Sequence, residues 1–152
     1  MKYVKGDLLN AEETVIAHGC NCQGVMGSGV ALAVKNKYPY AYIQYVKDIK
    51  SGRQLGDCSF YMEADDKINK IVLSLLTQEY FGTDRRQVNY AAIVYSLIHA
   101  LNIADLDYDF EIKTIAIPKI GAGLGGGDWN IIEAILKDFE LMCDIEFVVY
   151  EL

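Results

Sequence analysis

Two glycine-rich turns constrain this chain most: Asn21-Cys22-Gln23-Gly24-Val25-Met26-Gly27-Ser28-Gly29-Val30 and Gly121-Ala122-Gly123-Leu124-Gly125-Gly126-Gly127-Asp128-Trp129. Each follows an apolar, strand-like run and leads into a helical pattern. A strand that turns through glycine into a helix is the repeating unit of an α/β sheet. Glycine at that junction lets backbone N–H groups approach an oxyanion closely, and the helix N-terminus beyond adds a favourable dipole. Two such turns, far apart in a short chain, suggest a diphosphate gripped from both sides.

The rest of the chain supports that architecture. Lys2 to Lys5 reads as an opening strand, and Thr14 to Gly19, apolar and β-branched, as a buried one. Ser28 is placed to cap a helix that ends near Lys37, and Pro39 to open a second that runs to about Ile49. Leu55 to Met62 reads as a strand. Asp65-Asp66-Lys67 would close a hairpin-like connection into the run Ile68 to Thr77. Tyr80 to Arg86 is a polar loop with aromatic members. Val88 to Leu101 carries apolar residues at helical spacing, and Asn102 to Glu111 reads as an acidic surface loop. Thr114 to Pro118 has the pattern of a central strand. Asp128 is placed to cap a last helix, Trp129 to Met142, before a final strand, Ile145 to Tyr150. Strands alternating with helices predict one domain over 1–152, a three-layer α/β/α sandwich on a mixed, mainly parallel sheet. Ligands of such sheets sit beyond the carboxyl ends of the strands, where both glycine turns lie.

Composition narrows the chemistry. Of 152 residues, 52% are hydrophobic and 23% charged, enough for a packed core. No apolar stretch approaches the roughly 18–20 residues that span a bilayer, and Met1 to Asp7 lacks a signal-peptide apolar region. A cytoplasmic protein without a membrane partner is expected. A formal charge of −7 disfavours a nucleic-acid partner, which calls for a basic face. A small anionic ligand remains compatible, since backbone N–H groups bind phosphate without net positive charge. Oligomeric state is open, with a monomer as the default. His18, Cys20 and Cys22 alternate along one segment without a fourth ligand nearby, so no metal site and no cofactor are expected, and the cysteines read as reduced thiols.

Gly24-x-x-Gly27-x-Gly29 does not have the order of the dinucleotide fingerprint, and the chain lacks the P-loop motif. What these residues resemble is the macro domain, the ADP-ribose-binding module. The resemblance spans Gly6-Asp7-Leu8, Asn21 with the Gly24–Val30 turn, the second turn from Gly121, and the ending Phe147 to Leu152. Within that family, Ile16 to Gly24 is similar to the small yeast-type ADP-ribose 1″-phosphate phosphatases. The branch that cleaves ADP-ribose from glutamate or DNA bases carries a catalytic lysine where this chain has Thr77-Gln78-Glu79, a departure that counts against lysine-dependent deglycosylation.

The resemblance implies roles with physical alternatives. Asp7, beside Leu8, would accept the adenine amino group, or cap a turn. Backbone N–H groups of Val25, Met26, Gly27, Ser28, Gly29 and Val30, with Gly24, and of Gly121, Ala122, Gly123, Leu124, Gly125 and Gly126, after Pro118, would hold the diphosphate. The side chains of Met26 and Leu124 would pack on the distal ribose, or belong to the core. Tyr150 would stack on adenine. Asn21 would bond a ribose hydroxyl, or satisfy a buried turn. His18 could transfer a proton to a leaving sugar oxygen, or be a hydrogen-bonded core residue. Asp128 could position the attacking water, or simply cap a helix. The implied activity is removal of phosphate from ADP-ribose 1″-phosphate. The alternatives are an ADP-ribosyl hydrolase acting on protein, nucleic acid or O-acetyl-ADP-ribose, and a non-catalytic ADP-ribose reader.

Overall fold

The computed structural model describes residues 1–64 and 69–152; the expected connection at Asp65-Asp66-Lys67 lies outside the described residues. Six strands form one sheet: β1 (Lys2–Lys5), β2 (Val15–Asn21), β3 (Cys58–Ala64), β4 (Asn69–Gln78), β5 (Thr114–Ile117) and β6 (Glu146–Glu151). Their order across the sheet is β1-β6-β5-β2-β4-β3. All neighbours are parallel except β3, which pairs antiparallel with β4 at one edge. The mixed, mainly parallel sheet expected from the sequence is therefore the sheet observed.

Strand alternation divides the core into two layers. Val15, Ala17, Ile71, Leu73, Leu75, Ile115, Ile117, Phe147 and Val149 face α3 (Tyr90–Tyr108) and α4 (Trp129–Cys143), where Ile93, Leu97, Ile132, Leu136 and Phe139 meet them. The intervening Ile16, Val72 and Ala116 face the other way, toward α1 (Gly29–Lys37) and α2 (Pro39–Lys50), packing with Val34, Tyr38 and Ala41. A three-residue helical turn at Leu8–Asn10 covers the same side, with Leu8 and Leu9 buried. No helix of the described residues is long and apolar enough to cross a membrane.

Three local expectations are corrected. The segment Asn102 to Glu111 is not an irregular loop, since α3 continues through Tyr108. Ile103 and Ala104 extend the buried stripe begun at Ala100, leaving Asp105 and Asp107 on the wet side. The helix stops where Asp109 turns left-handed (φ 49°) and Phe110 N–H closes on Ala104 C=O at 2.9 Å. Strand β3 begins at Cys58 rather than Leu55, because Gln54 to Asp57 form a turn in which Asp57 Oδ2 accepts from Gln54 N at 2.8 Å. Ser28 occupies the N-cap position of α1, but its side chain makes no cap bond.

Candidate active site

The carboxyl ends of β2, β4 and β5 open into a cavity of about 550 Å³, and both glycine loops form its walls. The first loop leaves β2 at Asn21. Asn21 Oδ1 accepts from Gln23 N at 2.9 Å, and its Nδ2 donates to Val25 C=O at 2.8 Å. Behind the loop, the fully buried Tyr45 of α2 places its hydroxyl 2.7 Å from Asn21 C=O and 2.9 Å from Asn21 Oδ1, and accepts from Gly24 N at 3.1 Å. Burial raises the Tyr45 phenol, so it stays protonated. This scaffold delivers the chain to the N-terminus of α1 with Gly29 at φ 58°, a conformation that favours glycine.

The second loop folds on itself. Gly127 N donates to Gly121 C=O at 2.8 Å and Gly126 N to Gly123 C=O at 3.1 Å. Gly121 sits at φ 75°, and a Cβ there would lie 2.8 Å from Val88 Cγ2, so glycine is required by both backbone and space. Gly125 C=O accepts from Gln87 and Val88 N–H at 2.9 and 3.1 Å, tying the loop to the segment after β4. The loops touch across the cavity, for a Cβ on Gly29 would meet Leu124 Cδ1 at 3.2 Å.

Between these ties, the backbone N–H groups of Gly27, Ser28, Gly29, Val30 and Ala31 on one side, and of Gly123, Leu124 and Gly125 on the other, bond no acceptor among the described residues. Two arrays of free donors, one at a helix N-terminus, belong to residues that line one cavity. Lys119, ion-paired with Glu151 at 2.8 Å, lines this cavity and also an open recess shared with Tyr150 and Leu152 beyond β6.

The site residues anticipated from sequence divide accordingly. Asn21, Val25, Gly27, Ser28, Gly29, Val30, Pro118, Gly121, Gly123, Leu124 and Gly125 line the cavity, with Leu124 54% exposed. Tyr150 lines the recess at the carboxyl end of β6, whereas Asp7, at the carboxyl end of β1, lines neither the recess nor the cavity. Asp7 caps the short helical turn by accepting from Leu9 N at 2.9 Å, and Tyr150 bonds Glu13. Leu8 is buried against the α1 side of the sheet. Gly24, Ala122 and Gly126 shape the loops without lining the cavity.

For three of the anticipated residues the structure shows the structural alternative in place. Met26 is 1% exposed and packs with Cys20, Tyr45 and Leu76, so it holds the first loop down rather than meeting a ribose. His18 does reach the cavity wall, yet it is 1% exposed and its Nε2 lies 2.9 Å from Ser74 Oγ. Burial lowers its pKa to about 4, which keeps the imidazole neutral near pH 7 and makes it a poor general acid toward a leaving sugar oxygen. Asp128 lies outside the cavity wall, exposed, with Oδ1 accepting from Asn130 N at 2.8 Å as the N-cap of α4. Asp128→Ala is therefore expected to cost about 1 kcal/mol of stability in a urea titration while ligand affinity stays unchanged. A stable variant with impaired turnover would restore the water-positioning role.

Asn21 has one amide proton left after its loop bonds, and that is what its side chain can offer a ligand. Cys20 and Cys22 are poor nucleophiles: burial raises both thiols, Cys22 to about 12. The sequence did not anticipate Gly19, Phe81, Gly82, Thr83, Lys119 and Ile120 in the wall, while Thr77 and Gln78 had entered only as the place of the lysine that this chain lacks. The only signal for them was position, since each follows or ends an apolar strand.

A domain built on a mainly parallel sheet, with two sets of unpaired N–H groups at its strand ends, has the architecture of α/β modules suited to anions. Residues 17–136 match the family profile described as Macro domain, and the chain belongs to that family. An ADP-ribose 1″-phosphate phosphatase of Scheffersomyces stipitis is 32% identical, with 99% of this chain and 98% of that protein covered. A DNA ADP-ribosyl glycohydrolase of Mycobacterium bovis is 28% identical over 97% of this chain, which spans only 41% of that relative's length. Among solved structures, the macrodomain of Mycobacterium tuberculosis DarG superposes with a TM-score of 0.81 at 30% identity, covering 99% and 97% of the two chains.

Proposed function

We propose that this macro domain binds ADP-ribose 1″-phosphate and hydrolyses its terminal phosphate ester, giving ADP-ribose and inorganic phosphate. The observation that carries the reading is the pair of free N–H arrays on the two loops that wall one cavity. A diphosphate between them satisfies donors from both loops, with adenine toward Asp7 and Tyr150 and the distal ribose toward β4. In the reaction, a water oxygen bonds to the terminal phosphorus, the bond from phosphorus to the ribose 1″ oxygen breaks, and that oxygen takes a proton. Phosphoryl transfer of this kind depends mainly on positioning and on stabilising charge on the phosphoryl oxygens. Backbone donors at the α1 N-terminus can supply the second without an ionised side chain.

The wall's ionisable side chains are His18, Cys20 and Lys119; the first two are neutral and the third is paired. That set suits phosphate removal better than lysine-dependent base release, and Gln78 stands in the wall where the deglycosylating branch carries its lysine. The name of the mycobacterial relative supports a second reading, cleavage of ADP-ribose from DNA. Incubation with ADP-ribose 1″-phosphate and, in parallel, with ADP-ribosylated DNA and protein decides between them. Phosphate release from the first alone is expected. Release of ADP-ribose from either macromolecule without phosphate release would overturn the phosphatase reading, and tight binding with no turnover of any substrate would make the chain a reader.

A further inference from the structure

The outward side of α2 carries Tyr40, Ile43, Lys47 and Lys50, spaced so that all four fall on one stripe of the helix. Tyr40 is 64% exposed, and Ile43 and both lysines are exposed with it. Neither lysine pairs with a carboxylate among the described residues. The charge around the stripe has one sign. Lys35 to Arg53 holds five basic residues and a single acid, Asp48, which is buried beside Arg53. Exposed apolar side chains set among polar ones mark surfaces that meet another molecule.

The opposite layer shows the reverse charge. On α3, Tyr95, Asn102, Asp105 and Leu106 form an outward stripe that Asp109 continues at the C-cap. Tyr95 is 65% exposed and Leu106 78%. Tyr90 to Glu111 contains four acids and no lysine or arginine. Asp105, Asp107 and Asp109 join no ion pair among the described residues. Both helices pack on β3 at the same edge of the sheet, α2 on one side and α3 on the other. No residue of either stripe lines the cavity between the glycine loops.

We propose that copies of this chain associate head to tail, the basic face of α2 on one copy docking on the acidic face of α3 on the next. The occupant is a second copy because the same chain carries the surface that matches. Tyr40 and Ile43 bring apolar area to Tyr95 and Leu106, and Lys47 and Lys50 bring charge to Asp105 and Asp109. The two faces lie on opposite layers, so a contact that uses one of each leaves the other of each free. Such an interface is heterologous, and further copies can add to it. The net charge of −7 repels copies at long range, so the contact is weak, local and sensitive to salt. The cavity of each copy stays outside the interface, and the inference does not depend on the ADP-ribose reading.

Sedimentation velocity of the full chain over a concentration series tests this. At about 50 mM salt the weight-average mass is expected to climb above the monomer as concentration rises, and at about 500 mM to fall back. Lys47→Gln with Lys50→Gln, and separately Asp105→Asn with Asp109→Asn, are each expected to weaken association about tenfold, the worth of two exposed ion pairs. Asparagine suits the left-handed backbone at Asp109, so that variant keeps its helix end. Mixed one to one, the two variants still hold one intact face of each kind, and they are expected to form a dimer of wild-type affinity that grows no further. A wild type that stays monomeric at every concentration in low salt would overturn the proposal and leave both faces to foreign partners. Association that neither variant weakens, or a mixture that associates no better than its components, would overturn it as well.

Discussion

Asn21→Ala is expected to lower ADP-ribose affinity more than tenfold and to cost roughly 2–4 kcal/mol of stability. The side chain accepts from Gln23 N and donates to Val25 C=O, so its loss frees two groups of the loop at once. The buried Tyr45 hydroxyl loses its Asn21 Oδ1 contact but keeps the Asn21 C=O and Gly24 N. The N–H groups from Gly27 onward keep their covalent identity but lose the geometry that aims them into the cavity, and only the correctly ordered fraction then binds. Tyr45→Phe, far from the ligand, should show a weaker version of the same effect by unpairing Asn21 C=O and Gly24 N. Calorimetry with a parallel urea titration reads both quantities. An alanine variant that binds ADP-ribose like wild type would show that the loop orders without its asparagine.

Acidification from pH 7 to pH 4 is expected to remove about 3 kcal/mol of stability through His18 alone. The buried imidazole titrates at about 4 in the native chain, against its ordinary 6.5. Between those values the unfolded chain takes up a proton that the folded chain refuses, so stability rises with pH across the window. The loss is absent above pH 6.5 and fully developed near pH 4. Carboxylates add their own acid sensitivity, so the informative quantity is the difference between wild type and His18→Gln. The glutamine variant should lack the extra slope between pH 4 and 6.5, whatever its stability at pH 7. Parallel slopes for the two proteins would mean that His18 titrates normally and is more open to water than its burial implies.

Much of the sheet was legible because parallel strands buried on both faces leave continuous apolar runs in the sequence. Val15 to Cys20 and Thr114 to Ile117 are of this kind, and their ends fell close to expectation. Legibility failed where a local cue lost to tertiary burial. Asn102 to Tyr108 looks acidic and loop-like, but burying Ile103 and Ala104 against the sheet keeps the segment helical. At Leu55 the apolar cue favoured a strand, and the Asp57 carboxylate made a turn instead.

Within the site, the sequence by itself determined the two glycine turns, because close backbone approach and left-handed conformations at positions such as Gly29 and Gly121 demand that residue. It did not determine which side chains work there. His18, Asp128 and Met26 carry the right chemistry in one dimension, and each has a second possible use that one dimension cannot separate from the first. Packing decided among them. It buried His18 beside Ser74, spent Asp128 on a helix cap, and sent Met26 into the core. It also set Thr77 into the cavity wall, at a slip in register between β2 and β4. Backbone conformation is written locally in residue type, whereas burial and register arise between strands far apart in the chain.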